Sequence, residues 1–251
     1  MKKSYTEIAG KTALLLYAQD GRHSAPCLRI LGHSIVLTFF DRGGSLSTSA
    51  IDINQQPEEF LCILVGLSCA HPDHLGFNET IIWEKDGRKR VLIAWHGDPT
   101  EAGEVVLDKI IFISDALHGR GTTVWAGWLY PPSSQPQQEP RQIVVKDSWI
   151  DPLRKYTEGN ILARLNEAGV KGVPKFIHEQ QVRGPHPSHP NIKVNRSTHL
   201  LRTLLSDISI PSYHVRVLSR LLTEPLGKRL MDFSSLAELL VAFIDYVLSR
   251  L

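Results

Sequence analysis

The sequence predicts an α+β fold: an upstream α+β unit over residues 1–104, then a small antiparallel sheet with one crossing helix over residues 105–251. Three observations carry this expectation. Short β-prone runs bounded by Gly, Asp and Pro turns recur along the chain. Helical i, i+3, i+4 spacing is confined to a few separated segments. Between Leu117 and Leu162, a two-glycine turn, an apolar strand ending in Lys146 and a helix opening on Glu158 follow one another in that order.

Taken in order, residues 4–18 form an amphipathic first helix with Ile8, Leu15 and Leu16 at turn-like spacing. Ile35 to Phe40 is a strand, Asp41-Arg42-Gly43-Gly44 its turn, and Ser47 to Ile53 its hairpin partner. Pro57 opens a second helix, with Glu58 and Glu59 near its positive end and a buried stripe of Phe60, Leu61, Leu64, Val65 and Leu67. Thr80 to Glu84 and Arg88 to Trp95 are strands joined at Asp86-Gly87. Cys62, Cys69, His71 and His74 lack metal-site spacing; the cysteines read as small hydrophobes on a buried helix face.

Lys109 to Leu117 and Val124 to Tyr130 are the strands flanking the glycine turn, and PPSSQPQQEP at 131–140 is a surface loop. Ile143-Val144-Val145 is a buried strand, and Asp151-Pro152 a helix start signal ahead of Glu158. Val173 to Val182 is the next strand. RGPHPSHPNIKVNRSTH reads as a disordered insert whose histidines carry no metal, followed by a short helix from Leu200 to Ile208. His214 to Leu222 returns to strand. From Ser234 the chain is helical, with Leu236, Leu240, Phe243, Ile244 and Val247 on one stripe.

The composition limits the function. A net charge of +2 over 251 residues argues against a nucleic-acid or membrane-surface partner, and no apolar run approaches the length of a membrane span. Three widely spaced cysteines imply reduced thiols, hence a cytoplasmic or nuclear setting.

The chemistry resides in the central stretch. Glycines lacking side chains can bring backbone N–H groups against phosphates. A strand lysine held by a helix glutamate can then neutralise those phosphates at a fixed position. Alone, a two-glycine turn is an ordinary hairpin and a strand-ending lysine an ordinary edge. The order G-x-G-x-x-V, strand, loop, V-V-K and helix glutamate is that of the nucleotide end of a protein kinase. Lys146 and Glu158 are the candidate catalytic pair. Gly119, Arg120, Gly121, Thr122, Val124 and Val144 are candidate ATP contacts, and no metal ligand is assigned.

GRGTTVW, VVKDSW, EGNIL and GVPKF resemble the fungal-type protein kinases, and the resemblance extends to FFDRGG, AIDIN, LGFNETI, RVLSRLL, PLGKRL and DFSSLAELL. It implies a kinase small lobe, Mg-ATP as the bound nucleotide, and a hinge in TEPLGKRL. Thr223 is then the gatekeeper, with Glu224 and Leu226 as the main-chain contacts to adenine. Val124 stands where a third glycine is usual, and Ala126 and Val144 exchange the usual valine and alanine of the adenine pocket. The H-R-D and D-F-G motifs do not follow the hinge, and Asp232-Phe233-Ser234 precedes the helix that should lead to them. The expectation is an ATP-gripping portion whose large lobe lies beyond this sequence, inactive by itself. The alternative is a pseudokinase-like interaction module with a protein partner over the last helix.

Overall fold

The computed structural model describes residues 2–94, 102–130, 139–186, 188–203 and 213–248. Helix α1 (Lys2–Ala18) leads into four short strands, β1 (Ala25–Leu31), β2 (Ser34–Asp41), β3 (Gly44–Ser47) and β4 (Ile51–Asp52), that form an antiparallel sheet centred on β2. Strand β1 was not legible in the sequence. Its register with β2 runs from Ala25 opposite Phe40 to Leu31 opposite Ser34, turning at Gly32 with φ of +62°.

After helix α2 (Pro57–Cys69) come β5 (Ile81–Trp83), β6 (Lys89–Ala94), β7 (Ala102–Ile113), β8 (Thr123–Tyr130) and β9 (Arg141–Ile150). Then follow α3 (Glu158–Glu167), β10 (Lys175–Gln181), β11 (Arg183–His186), β12 (His189–Asn195), the short α4 (Leu200–Thr203), β13 (Val217–Glu224) and α5 (Leu236–Leu248). Seven strands make one antiparallel sheet in the order β10-β13-β9-β8-β7-β6-β5. Its apolar face carries the core: Ile81, Val91, Ile93, Val105, Leu107, Trp125, Ile143, Val145 and Leu222 are all buried. Residue 104 therefore lies inside β7, and β5 and β6, on its upstream side, pair into the same sheet as β8 and β9.

Polar ties join the upstream elements to this sheet. Asp20, just past α1, accepts from Lys89 Nζ at 2.7 Å and from Trp125 Nε1 at 2.9 Å. Elsewhere, Arg196, just past β12, pairs through Nε at 2.7 Å with Glu79, just ahead of β5. Among the described residues no helix is long and apolar enough to cross a membrane.

Three expectations are corrected. No residue of α2 is buried, and Leu61 and Val65 are more than half exposed, because the helix has only the two-residue β4 as its main neighbour. Cys62 and Cys69 are accordingly exposed rather than core residues. The segment read as a disordered insert is instead the β11–β12 hairpin, with Gly184 opposite Val194. It is anchored where Val182, 1% exposed, packs with Trp149 and Leu218, and where the Val182 N–H donates to the Leu218 carbonyl. The proline-rich composition concealed that anchor. Within the expected helix 200–208, Leu200–Thr203 is helical and the remainder lies outside the described residues, as does most of the 131–140 loop.

Candidate functional site

The site follows from the register of three adjacent strands. Val124 on β8, Lys146 on β9 and Leu221 on β13 are directly opposite one another, and so are Ala126, Val144 and Thr223. Directly opposed residues in an antiparallel sheet share a face, and so do residues two apart. These six side chains therefore line the face opposite the core, while the intervening Trp125, Val145 and Leu222 point inward. The sequence alternation of β9 thus puts Lys146 outward and Asp147 inward.

Lys146 Nζ lies 2.6 and 2.7 Å from the two carboxylate oxygens of Glu158. Glu158 is the first residue of α3, where the positive end of the helix dipole favours a carboxylate. The helix begins there because Thr157 and Asn160 form a capping box. Asp151, expected to start this helix, instead accepts from the Leu153 N–H at 2.8 Å in a separate turn. Gly159 brings α3 close to β10: a Cβ on Gly159 would lie 2.5 Å from Glu179 Oε2 and 2.9 Å from Glu179 Cβ. Glu179 in turn accepts from the Thr157 hydroxyl and from Ser219 Oγ. The run E-G-N therefore supplies, in successive residues, the lysine's partner, the close approach and the cap.

Between β7 and β8, residues 114–122 form the glycine loop. Arg120 reaches Glu158 Oε2 with a guanidinium nitrogen at 3.3 Å, and its carbonyl accepts from the Trp149 N–H at 2.7 Å. Glu158 is shared by two cations. Gly119 has φ of +107° and Gly121 φ of +45°, values that disfavour any residue with a Cβ. Gly119 N–H, expected to face phosphate, donates to the Arg42 carbonyl at 3.1 Å. A Cβ on Gly121 would lie 2.3 Å from Arg42 Nε. The approach of Arg42 from the β2–β3 turn is thus an immediate reason for Gly121, whereas Gly119 has open space around it and is required by its φ alone. Thr122 closes the loop, its carbonyl accepting from the Ser114 N–H at 2.8 Å.

At the other end of this face, β13 runs into the expected hinge. Glu224 pairs with Lys175 across β10, and its carboxylate binds Arg141 at 3.0 Å and Lys175 at 2.9 Å. Leu226 lies just past the strand and is half-buried. Asp232 is exposed and pairs with Arg229 at 3.1 Å. Among the described residues no group of His, Cys, Asp or Glu is placed to hold a metal ion.

Sequence reading missed the buried charges behind the site. Arg220 is fully buried and forms a bidentate pair with Asp147, both contacts 2.7 Å. Arg202 is 4% exposed and pairs with Asp41. Arg42 is 3% exposed and has no salt bridge among the described residues; burial lowers its guanidinium below the ordinary value. The pairing of K-D on one strand with an arginine amid the leucines of RVLSRLL was the available signal for Asp147–Arg220.

The sequence model of the family described as fungal protein kinase matches residues 1–249. No curated protein and no solved structure matches the chain. Matched over essentially its whole length, the chain belongs to the fungal protein kinase family.

Proposed function

We propose that the Lys146 face is the nucleotide site of a protein-kinase small lobe, and that this chain binds ATP without completing phosphoryl transfer by itself. The observation that carries the reading is the Lys146–Glu158 pair, on a sheet face where its strand neighbours Val124, Ala126, Val144, Leu221 and Thr223 are apolar or small. In a kinase such a lysine meets the α- and β-phosphates, and its glutamate keeps it there. Val124, Ala126 and Val144 supply apolar contacts for a purine, Arg120 a second phosphate-side cation, and the backbone at Glu224 and Leu226 donors and acceptors for the base. The family implies Mg²⁺ with ATP, but the acidic residues that would hold it are not assembled among the described residues. No step is therefore assigned to a metal. The sequence contains neither an H-R-D aspartate to orient a hydroxyl nor a D-F-G in its usual setting, so turnover by this polypeptide alone is negligible.

A second reading, a non-catalytic interaction module, is favoured by the exposed stripe on α5, where Leu236, Leu240, Ile244 and Val247 are each more than half exposed. Thermal-shift titration separates the two. A ligand at about 100 times its Kd stabilises the folded state by about 2.7 kcal/mol, a rise of several degrees in Tm for a chain this long. Mg-ATP is expected to give such a rise in the wild type and little or none in Lys146→Ala. No rise in either protein removes the nucleotide site and leaves the interaction module.

A further inference from the structure

Arg42 stands in the turn between β2 and β3, more than seventy residues before the glycine loop, yet it grips that loop at several points. Its guanidinium donates to the Ala116 carbonyl and, at 3.3 Å, to the Leu117 carbonyl. Its own carbonyl receives the Gly119 N–H, and its Nε occupies the space a Gly121 side chain would need. The turn that carries Arg42 is itself immobilised. Asp41 Oδ1 accepts the Gly43 N–H at 2.8 Å and a nitrogen of the buried Arg202 at 3.1 Å. A Cβ on Gly43 would meet Thr198 at 2.9 Å, so the turn is wedged against the segment after β12. At its far side the loop is tied down through Arg120, by Trp149 and Glu158.

We infer that Arg42 is a positioning residue for nucleotide binding: it holds the glycine loop in place beside Lys146, so that the upstream hairpin is a working part of the phosphate side of the site. This rests on the nucleotide reading above. A glycine-containing loop loses much conformational freedom when it orders, and a clamp that orders it beforehand removes that cost from ligand binding. Both carbonyls are served by one terminal nitrogen, Nη1, which the rigid guanidinium plane holds in place better than a flexible ammonium stem would. Since Arg42 touches the loop rather than the nucleotide, its influence should reach the phosphates and leave the base untouched.

The test compares wild type, Arg42→Ala and Arg42→Lys in the full chain, by titration with ATP and with adenosine and by amide hydrogen exchange without ligand. Arg42→Ala is expected to weaken ATP binding about tenfold while adenosine binding is unchanged, with Arg42→Lys in between. Exchange at Gly119–Thr122 is expected to quicken about tenfold, with β8 and β9 protected as before. Should Arg42→Ala fail to fold, Arg42→Lys must still show both effects. Equal loss for ATP and adenosine would reduce Arg42 to a structural residue, and unchanged or tighter ATP binding would overturn the role. Unchanged exchange at the loop would show that Arg42 does not hold it. A wild type that binds neither ligand removes the nucleotide reading, and with it this role, whatever the exchange data show.

Discussion

Asp147→Ala is expected to destabilise the protein by about 3–5 kcal/mol, because it strands the Arg220 guanidinium inside the sheet core. Arg220 is 0% exposed, and its Nε and one terminal nitrogen are both committed to Asp147. Its only other hydrogen bond among the described residues is a 3.3 Å contact to Thr80 Oγ1, and its remaining nitrogen already lacks a partner. Removing both charges should cost far less than removing one, so Asp147→Ala combined with Arg220→Met is expected to recover most of the loss. Denaturant unfolding of the single and double variants measures this directly. A single-variant loss below about 1 kcal/mol would mean that the pair is effectively solvated. The pair also bears on the site, since Asp147 and Arg220 fix the β9–β13 register that places Lys146 opposite Leu221.

Lowering the pH is expected to weaken the fold well before ordinary carboxylates titrate, through His23. Its Nδ1 is enclosed and has no hydrogen-bond partner among the described residues. Burial first, then Arg196, Arg42 and Arg22, push the imidazole down to about 3 from an ordinary 6.5, with Asp73 opposing weakly. The sign follows from which state takes the proton. Below about 6.5 the unfolded chain protonates His23 while the folded protein does not, so the unfolded state gains. This contribution to stability is complete above that pH and is lost progressively as the pH falls toward 3. The slope is roughly 1.4 kcal/mol per pH unit once well below 6.5. Comparing denaturant midpoints at neutral pH and near pH 5 for wild type and His23→Gln isolates it. The variant's profile should be flatter, and parallel profiles would show that the folded His23 accepts protons normally.

The lysine–glutamate relation was legible because it depends on local rules, strand alternation on one side and a helix start on the other. The cap that sets the helix start was less so: T-E-G-N is a weaker capping signal than the D-P pair six residues earlier. What the sequence could not disclose were contacts between remote segments. Nothing in G-R-G-T-T-V announces an arginine arriving from residue 42, because the glycines would look the same beneath a phosphate. The α2 stripe misled for a related reason. Apolar spacing specifies which face of a helix wants cover, not that the chain provides it. The β11–β12 hairpin was hidden by its prolines and histidines, since two short strands held by one valine and one ion pair need little apolar content.

The sheet that passes through residue 104 has a practical corollary. Excising the downstream part at that point would leave β7 without β6 beside it, and Val105 and Leu107 would be uncovered along an unsatisfied backbone edge that invites aggregation. A fragment intended to fold alone would have to start ahead of Asn78, retaining both strands of the β5–β6 hairpin. Even then it would lack the arginine that restrains the loop.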